Sequence, residues 1–313
     1  MFPVCNNYAL KNKITLFLST VLALLLCGLP LYSVDYENLD VFSVRNIDIY
    51  HHQRDNKIVQ QLVDYIHQDI DEFQRAIGFY PDIETKIVVA PDKEFYRNLV
   101  SDYAGVIEFS EAFYSGKDGK IYIRNLRDLS QLNRLRTTVL HEYIHHFIDS
   151  FYESVPLWFH EGMAVFFSGD LGFDRELTFA KDFLLGNTQP LSEMVNNYPS
   201  SRVRWGAFYT KSALAMKYLY SRHTEEFYRF WDLAEETSNF ERAFITAFNM
   251  TPKMFSHHFD EHIDKRFKTE ILLSFTGILW SMFPLFLIIA WLRKKIIAHN
   301  IKKKWDETGS DSG

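Results

Sequence analysis

The chain has 313 residues, a formal net charge of −6 and 47% hydrophobic residues. It is long enough to hold a domain together by packing, and it must do so, because both its cysteines, Cys5 and Cys27, fall in the N-terminal leader. A net acidic balance argues against a nucleic-acid partner.

In chain order, Ile14–Tyr32 is uncharged and strongly apolar behind Lys11 and Lys13, which fits a secretory signal or an uncleaved signal anchor over residues 1–33. A cut after Ser33 would leave Leu31 at the minus-three position, a poor match to the small-residue rule, which favours the anchor. A lipoprotein reading through Cys27 fails because Leu26 precedes it.

Residues 34–270 form the main domain, and its pattern is α+β. Ile47 and Ile49 alternate with polar residues as in a strand. Ile58, Leu62, Ile66, Ile70, Phe73 and Ile77 then recur as one helical stripe closed by Gly78. Lys86–Val89 and Lys120–Ile123 read as further strands, the latter after the turn Gly116-Lys117-Asp118-Gly119. From Ser130 to Phe267 the signal is helical almost throughout. A small N-terminal mixed sheet packed on helices is expected, followed by a mainly helical C-terminal part.

The chemistry is concentrated in His141-Glu142-Tyr143-Ile144-His145. Positions i and i+4 share a helix face, so both imidazoles can reach one metal ion, with Glu142 to the side as a general base. The motif lies in a stretch whose Leu135, Val139, Leu140, Tyr143, Ile144, Phe147 and Ile148 mark a buried helix. Unpartnered histidines and a carboxylate in such a helix would cost several kcal/mol, roughly, and a metal satisfies all three groups at once. A hydrolytic zinc takes a third protein ligand and keeps one position open for water. Glu161 is the candidate, on a second helix that begins near Pro156 or Leu157 after a turn through Ser150–Val155. His146 and His160 point away from this ligand set, and His257, His258 and His262 lie in a polar stretch with Asp260, Glu261 and Asp264 that reads as a solvated face.

Ile271–Leu292 contains no charge and has about the length that crosses ~30 Å of hydrocarbon, so a transmembrane helix is expected there despite Pro284. Arg293, Lys294, Lys295, Lys302, Lys303 and Lys304 follow in a basic tail, 293–313. With Lys11 and Lys13 they place both ends in the cytoplasm, the domain outside it or in the periplasm, and the tail against anionic lipid. The expected location is the cell (inner) membrane, with the lipid bilayer as one partner.

The segments T-V-L-H-E-Y-I-H-H and V-P-L-W-F-H-E-G-M-A-V-F-F resemble the peptidase MA-like (gluzincin) metallopeptidases, in which the glutamate of W-x-x-E-G-x-A is the third zinc ligand. Val44–His51, Gln60–Gly78 and Thr85–Ala90 resemble the family's opening strand, first long helix and following strand. Ala207–Ser212, Lys217–Leu219 and the stretches Arg242–Phe244 and Phe248–Thr251 resemble its later helices. The resemblance implies a thermolysin-like zincin core, one Zn2+ on His141, His145 and Glu161, Glu142 as general base, and Tyr209 as oxyanion donor. Against that last role stands the ordinary packing of an amphipathic tyrosine, of which the chain has 17. It also implies that Lys120–Ile123 is an edge strand on which an extended peptide lies. The chain departs from the family at Val165, where several members place an aspartate that orients a zinc histidine. Asp149, one turn after His145, is a substitute or a carboxylate facing water. The aminopeptidase signature G-x-M-E-N is absent.

The leading expectation is a membrane-anchored zinc peptidase, an endopeptidase acting on peptide or protein substrates near the bilayer. The alternative is a catalytically silent relative that binds peptides or partner proteins in the same cleft. A structural membrane protein with an accidental motif is a third class, and intramembrane proteolysis is disfavoured because neither apolar segment holds the motif.

Overall fold

The computed structural model describes residues 39–102, 111–124, 132–201 and 204–309. Met1–Asp40 and Val41–Gly313 separate into two units. All of the first except Leu39 and Asp40 lies outside the described residues, and with it the expected leader segment Ile14–Tyr32.

The fold is α+β, with a five-stranded sheet in the order β1-β2-β3-β5-β4. The strands are β1 (Asp40–Val44), β2 (Ile47–His51), β3 (Thr85–Val89), β4 (Ala112–Ser115) and β5 (Lys120–Ile123). Helix α1 (Asn56–Ile77) carries the chain from β2 to β3, and this crossover is what allows the two strands to run parallel, with Ile47 opposite Thr85. The burial of α1 starts one residue later than the stripe suggests. Val59 is enclosed and Ile58 is exposed, while Leu62, Ile66, Ile70, Phe73 and Ile77 are buried. Gly78 ends the helix at φ 72, a left-handed conformation, and its N–H donates to the Gln74 carbonyl.

Strand β3 pairs parallel with β5, and β4 runs antiparallel to β5, Phe113 opposite Tyr122. The expected edge strand is therefore corrected. Lys120–Ile123 lies inside the sheet, because the turn before it folds an additional strand, β4, onto its outer side.

After α2 (Lys93–Asp102) and the β4–β5 hairpin come α3 (Leu132–Phe151), α4 (Leu157–Phe167), α5 (Phe173–Leu184), α6 (Trp205–Arg222), α7 (Thr224–Asp232), α8 (Phe240–Phe248) and α9 (Pro252–Gly309). The core between them is strongly aromatic. Phe147 of α3 meets Phe73 of α1 at 5.0 Å and Trp231 of α7 at 5.1 Å, both edge-on. Such pairs add about 0.5–1.5 kcal/mol to the burial of each ring. The first turns of α9 dock through Phe255, Phe259, Ile263 and Phe267, spaced for one face.

The expected membrane span at Ile271–Leu292 is corrected as part of this fold. Among the described residues no helix is long and apolar enough to cross a membrane. The expected stretch Ile271–Leu292 belongs to the continuous helix α9, and its side chains are described only from Phe283.

Candidate metal centre

Helix α3 has two chemically different faces. Leu135, Val139, Tyr143, Ile144, Phe147 and Ile148 are buried, and the other side carries His141, Glu142, His145 and Asp149 at helical spacing. The chain leaves α3 at Phe151 and re-enters a helix at Leu157, directly after Pro156, whose fixed φ suits a helix start. The N–H groups of Leu157 and Trp158, which have no partner inside the helix, donate to the carbonyls of Val195 and Met194 at 2.8 and 2.9 Å.

Gly162 sets the distance between α4 and α6. A Cβ there would stand 2.5 Å from the Ser212 carbonyl oxygen, so only glycine allows this approach. Its neighbour Glu161 is thereby held over the histidines with 3% of its surface exposed.

The geometry brings together the three expected ligands. His141 Nε2 and His145 Nε2 are 3.2 Å apart, and Glu161 Oε2 lies 3.6 Å from the first and 3.7 Å from the second. Glu161 Oε2 is buried and accepts no hydrogen bond, since those separations are too long for one. His141, His145 and Glu161 could hold a metal ion. His257 and His258 are exposed on α9, and His262 packs on the Tyr218 ring at 4.5 Å.

The titratable groups of this cluster act strongly on one another. Burial holds the His145 imidazole neutral, with its pKa lowered to about 3 despite the pull of Glu161. Burial acts the same way on His141, but the carboxylates of Glu161 and Glu142 outweigh it and raise its pKa. Burial would raise the pKa of Glu161, yet the two histidines and the Tyr198 hydroxyl bring it down to about 2. Glu142 goes the other way, to about 7, because burial outweighs the stabilisation from His141 and from a backbone N–H.

That N–H belongs to Tyr114 of β4 and donates to Glu142 Oε2 at 2.7 Å. The carboxylate is therefore fixed by the sheet as well as by its own helix. Tyr209 lies on α6 with its ring 6.3 Å from that of Tyr198. Its pKa is raised first by burial and then by Glu161 and Glu142, which places its hydroxyl within the field of both carboxylates.

Three participants were not singled out from sequence for these contacts. The Tyr198 hydroxyl donates to Glu161 Oε1 from the loop before α6, Tyr114 clamps Glu142, and His160 faces His145. Tyr198 and Tyr114 lie in segments whose path no local pattern reveals. Val165, where an orienting aspartate was looked for, is a buried apolar residue and offers no carboxylate to the histidines. No protein-family model matches the chain, and no curated protein matches it.

Proposed function

We propose that this protein is a zinc-dependent peptidase of the gluzincin type, and the observation that carries the reading is the triangle of His141 Nε2, His145 Nε2 and Glu161 Oε2. Ligand atoms about 2.0–2.1 Å from a tetrahedral zinc stand roughly 3.3 Å apart, close to the edges of that triangle. The buried oxygen of Glu161 that lacks a hydrogen bond supports the same conclusion. Zinc, when bound, supplies a Lewis acid that acidifies a water and polarises a carbonyl.

The remaining work falls to the chain. Glu142 takes a proton from the attacking water and passes it to the leaving amine. The Tyr114 N–H holds Oε2 throughout, so Oε1 carries the proton. Tyr209 donates its phenolic hydrogen to the developing oxyanion without bringing a charge. Tyr198 occupies Glu161 Oε1 and leaves Oε2 for the metal.

The peptide lies along β4. That strand ends the sheet order, and alternate residues of an antiparallel edge direct their N–H and C=O groups away from the sheet. Among the described residues β4 is the outer strand on this side, and with the Tyr114 N–H committed to Glu142, a substrate strand laid there would run directly beside that carboxylate. The substrate class is an extended peptide or unfolded protein segment.

The test is zinc content per chain of the full-length protein beside His145→Ala and Glu161→Ala, followed by cleavage of a mixed quenched-fluorescent peptide library. Near-stoichiometric zinc, lost in both variants, and cleavage abolished in a metal-loaded Glu142→Gln protein are expected. Folded wild type that takes up no added zinc would end this reading.

A further inference from the structure

The proposed ligand His145 uses Nε2 toward the metal position, and its other nitrogen is also engaged. His145 Nδ1 lies 3.4 Å from His160 Nδ1. On the far side of the His160 ring, Nε2 lies 3.2 Å from Asp149 Oδ1. The carboxylate of Asp149 is in turn hydrogen-bonded by the Tyr114 hydroxyl. The β4–β5 turn closes over it, such that a Cβ at Gly116 would come within 3.3 Å of Asp149 Oδ2. His145 and His160 have 14% and 16% of their side chains exposed, so water does not replace these contacts freely.

Only one placement of protons satisfies the row. A neutral imidazole that offers Nε2 to a metal carries its hydrogen on Nδ1. His160 Nδ1 must then accept, which puts the hydrogen of His160 on Nε2, facing an ionised Asp149. Every hydrogen then points the same way along the row, and the carboxylate at its end makes His145 a stronger donor to a cation. His160 escapes a search for ligands because it is next to Glu161 and turned about 100° from it. That rotation is what aims it across the gap at the back of His145.

We propose that Asp149 and His160 together position and polarise His145, doing through an intervening imidazole what an aspartate at position 165 would do directly. The inference rests on the zinc reading above and names how one ligand of that site is oriented. Tyr114 joins the two halves of the site, since its backbone N–H holds Glu142 and its hydroxyl holds Asp149.

The test measures zinc affinity of the full-length protein by competition with a chromophoric chelator. The variants are His160→Phe, Asp149→Asn and their combination, with His145→Ala as the zero-binding reference. His160→Phe is expected to weaken zinc about 10–100-fold. Asp149→Asn, at a half-exposed site that keeps its shape, guards against misfolding and is expected to weaken zinc less. The double variant is expected to be no weaker than His160→Phe alone, because the aspartate acts only through the imidazole. The visible spectrum of the cobalt-loaded protein reads the ligand field of His145 and should shift in both single variants, which a purely structural role would not produce. If wild type binds zinc and both single variants bind it equally tightly with unchanged cobalt spectra, the relay is wrong and the zinc site stands. Zinc binding by neither wild type nor His145→Ala removes the site and the relay together.

Discussion

Replacing Gly162 by alanine separates local helix preference from the packing described here. In an exposed helix interior the change would stabilise by about 0.8–1.0 kcal/mol, since glycine loses more backbone freedom on folding. At Gly162 the new Cβ would meet Ser212 O at 2.5 Å and the carbonyl carbon at 3.0 Å, whereas ordinary contact begins at 3.4 Å. The shortfall of 0.9 Å (3.4 − 2.5) falls on backbone, which cannot rotate aside. Forcing extra volume into a packed contact costs about 1–3 kcal/mol, and because this contact is with backbone the upper part of that range applies, so after the propensity gain a net loss approaching about 2 kcal/mol is expected. For a domain of this size a loss of about 2 kcal/mol lowers Tm by about 4–8 °C. The retreat of α4 also carries Glu161 away from the two histidines. A shift of several tenths of an ångström exceeds the ~0.2 Å tolerance of metal–ligand bonds, so zinc affinity should fall as well. Calorimetry and chelator competition read the two effects separately. Gly206→Ala on α6 is the control, because its Cβ would meet nothing within 4 Å, and it should leave Tm unchanged or raise it. A Gly162→Ala protein that melts at or above the wild-type temperature with undiminished zinc affinity would refute the argument.

Two further outcomes follow from individual contacts. Tyr198→Phe leaves Glu161 Oε1 without its donor, and a zinc affinity about 10–100-fold weaker is expected in chelator competition; an unchanged affinity would mean the hydroxyl does not orient the ligand. On α1, burial lowers the His67 pKa below its ordinary 6.5, helped by the Arg45 guanidinium and opposed mainly by Asp71. The imidazole is neutral in the folded chain and protonates more readily in the unfolded one. It therefore contributes stability above pH 6.5 that is lost as pH falls from 6.5 toward its lower folded value. Denaturant melts of wild type and His67→Gln across pH 5–8 should show a shallower slope in the variant, and parallel slopes would contradict the sign.

The ligand triangle was legible in the sequence because it depends on local periodicity. His141 and His145 are one helical turn apart, and Glu161 follows on the next helix, whose start is marked by Pro156. The α1 stripe and the α+β order were legible for the same reason. Strand β4 was not, since Ala112-Phe113-Tyr114-Ser115 has no sharp alternation and becomes a strand only by pairing with β5. This also hid the clamp on Glu142, whose donor is a backbone N–H with no sequence signature. His160 was visible as a residue, but its role depends on the angle between two helices. The apolar stretch at 271–292 suggested a span from composition alone, and among the described residues that expectation is not met.

The parts of the site differ in how far along the chain they reach. The triangle draws all three of its ligands from one helical hairpin, α3 and α4, a local arrangement of low contact order. The groups that hold Glu142 and Asp149 come from a strand that precedes this hairpin and reaches it only once the sheet has docked. A lesion in the sheet would release Glu142 outright and would reach the proposed metal site only through Asp149, while a lesion in the hairpin would remove the ligands themselves.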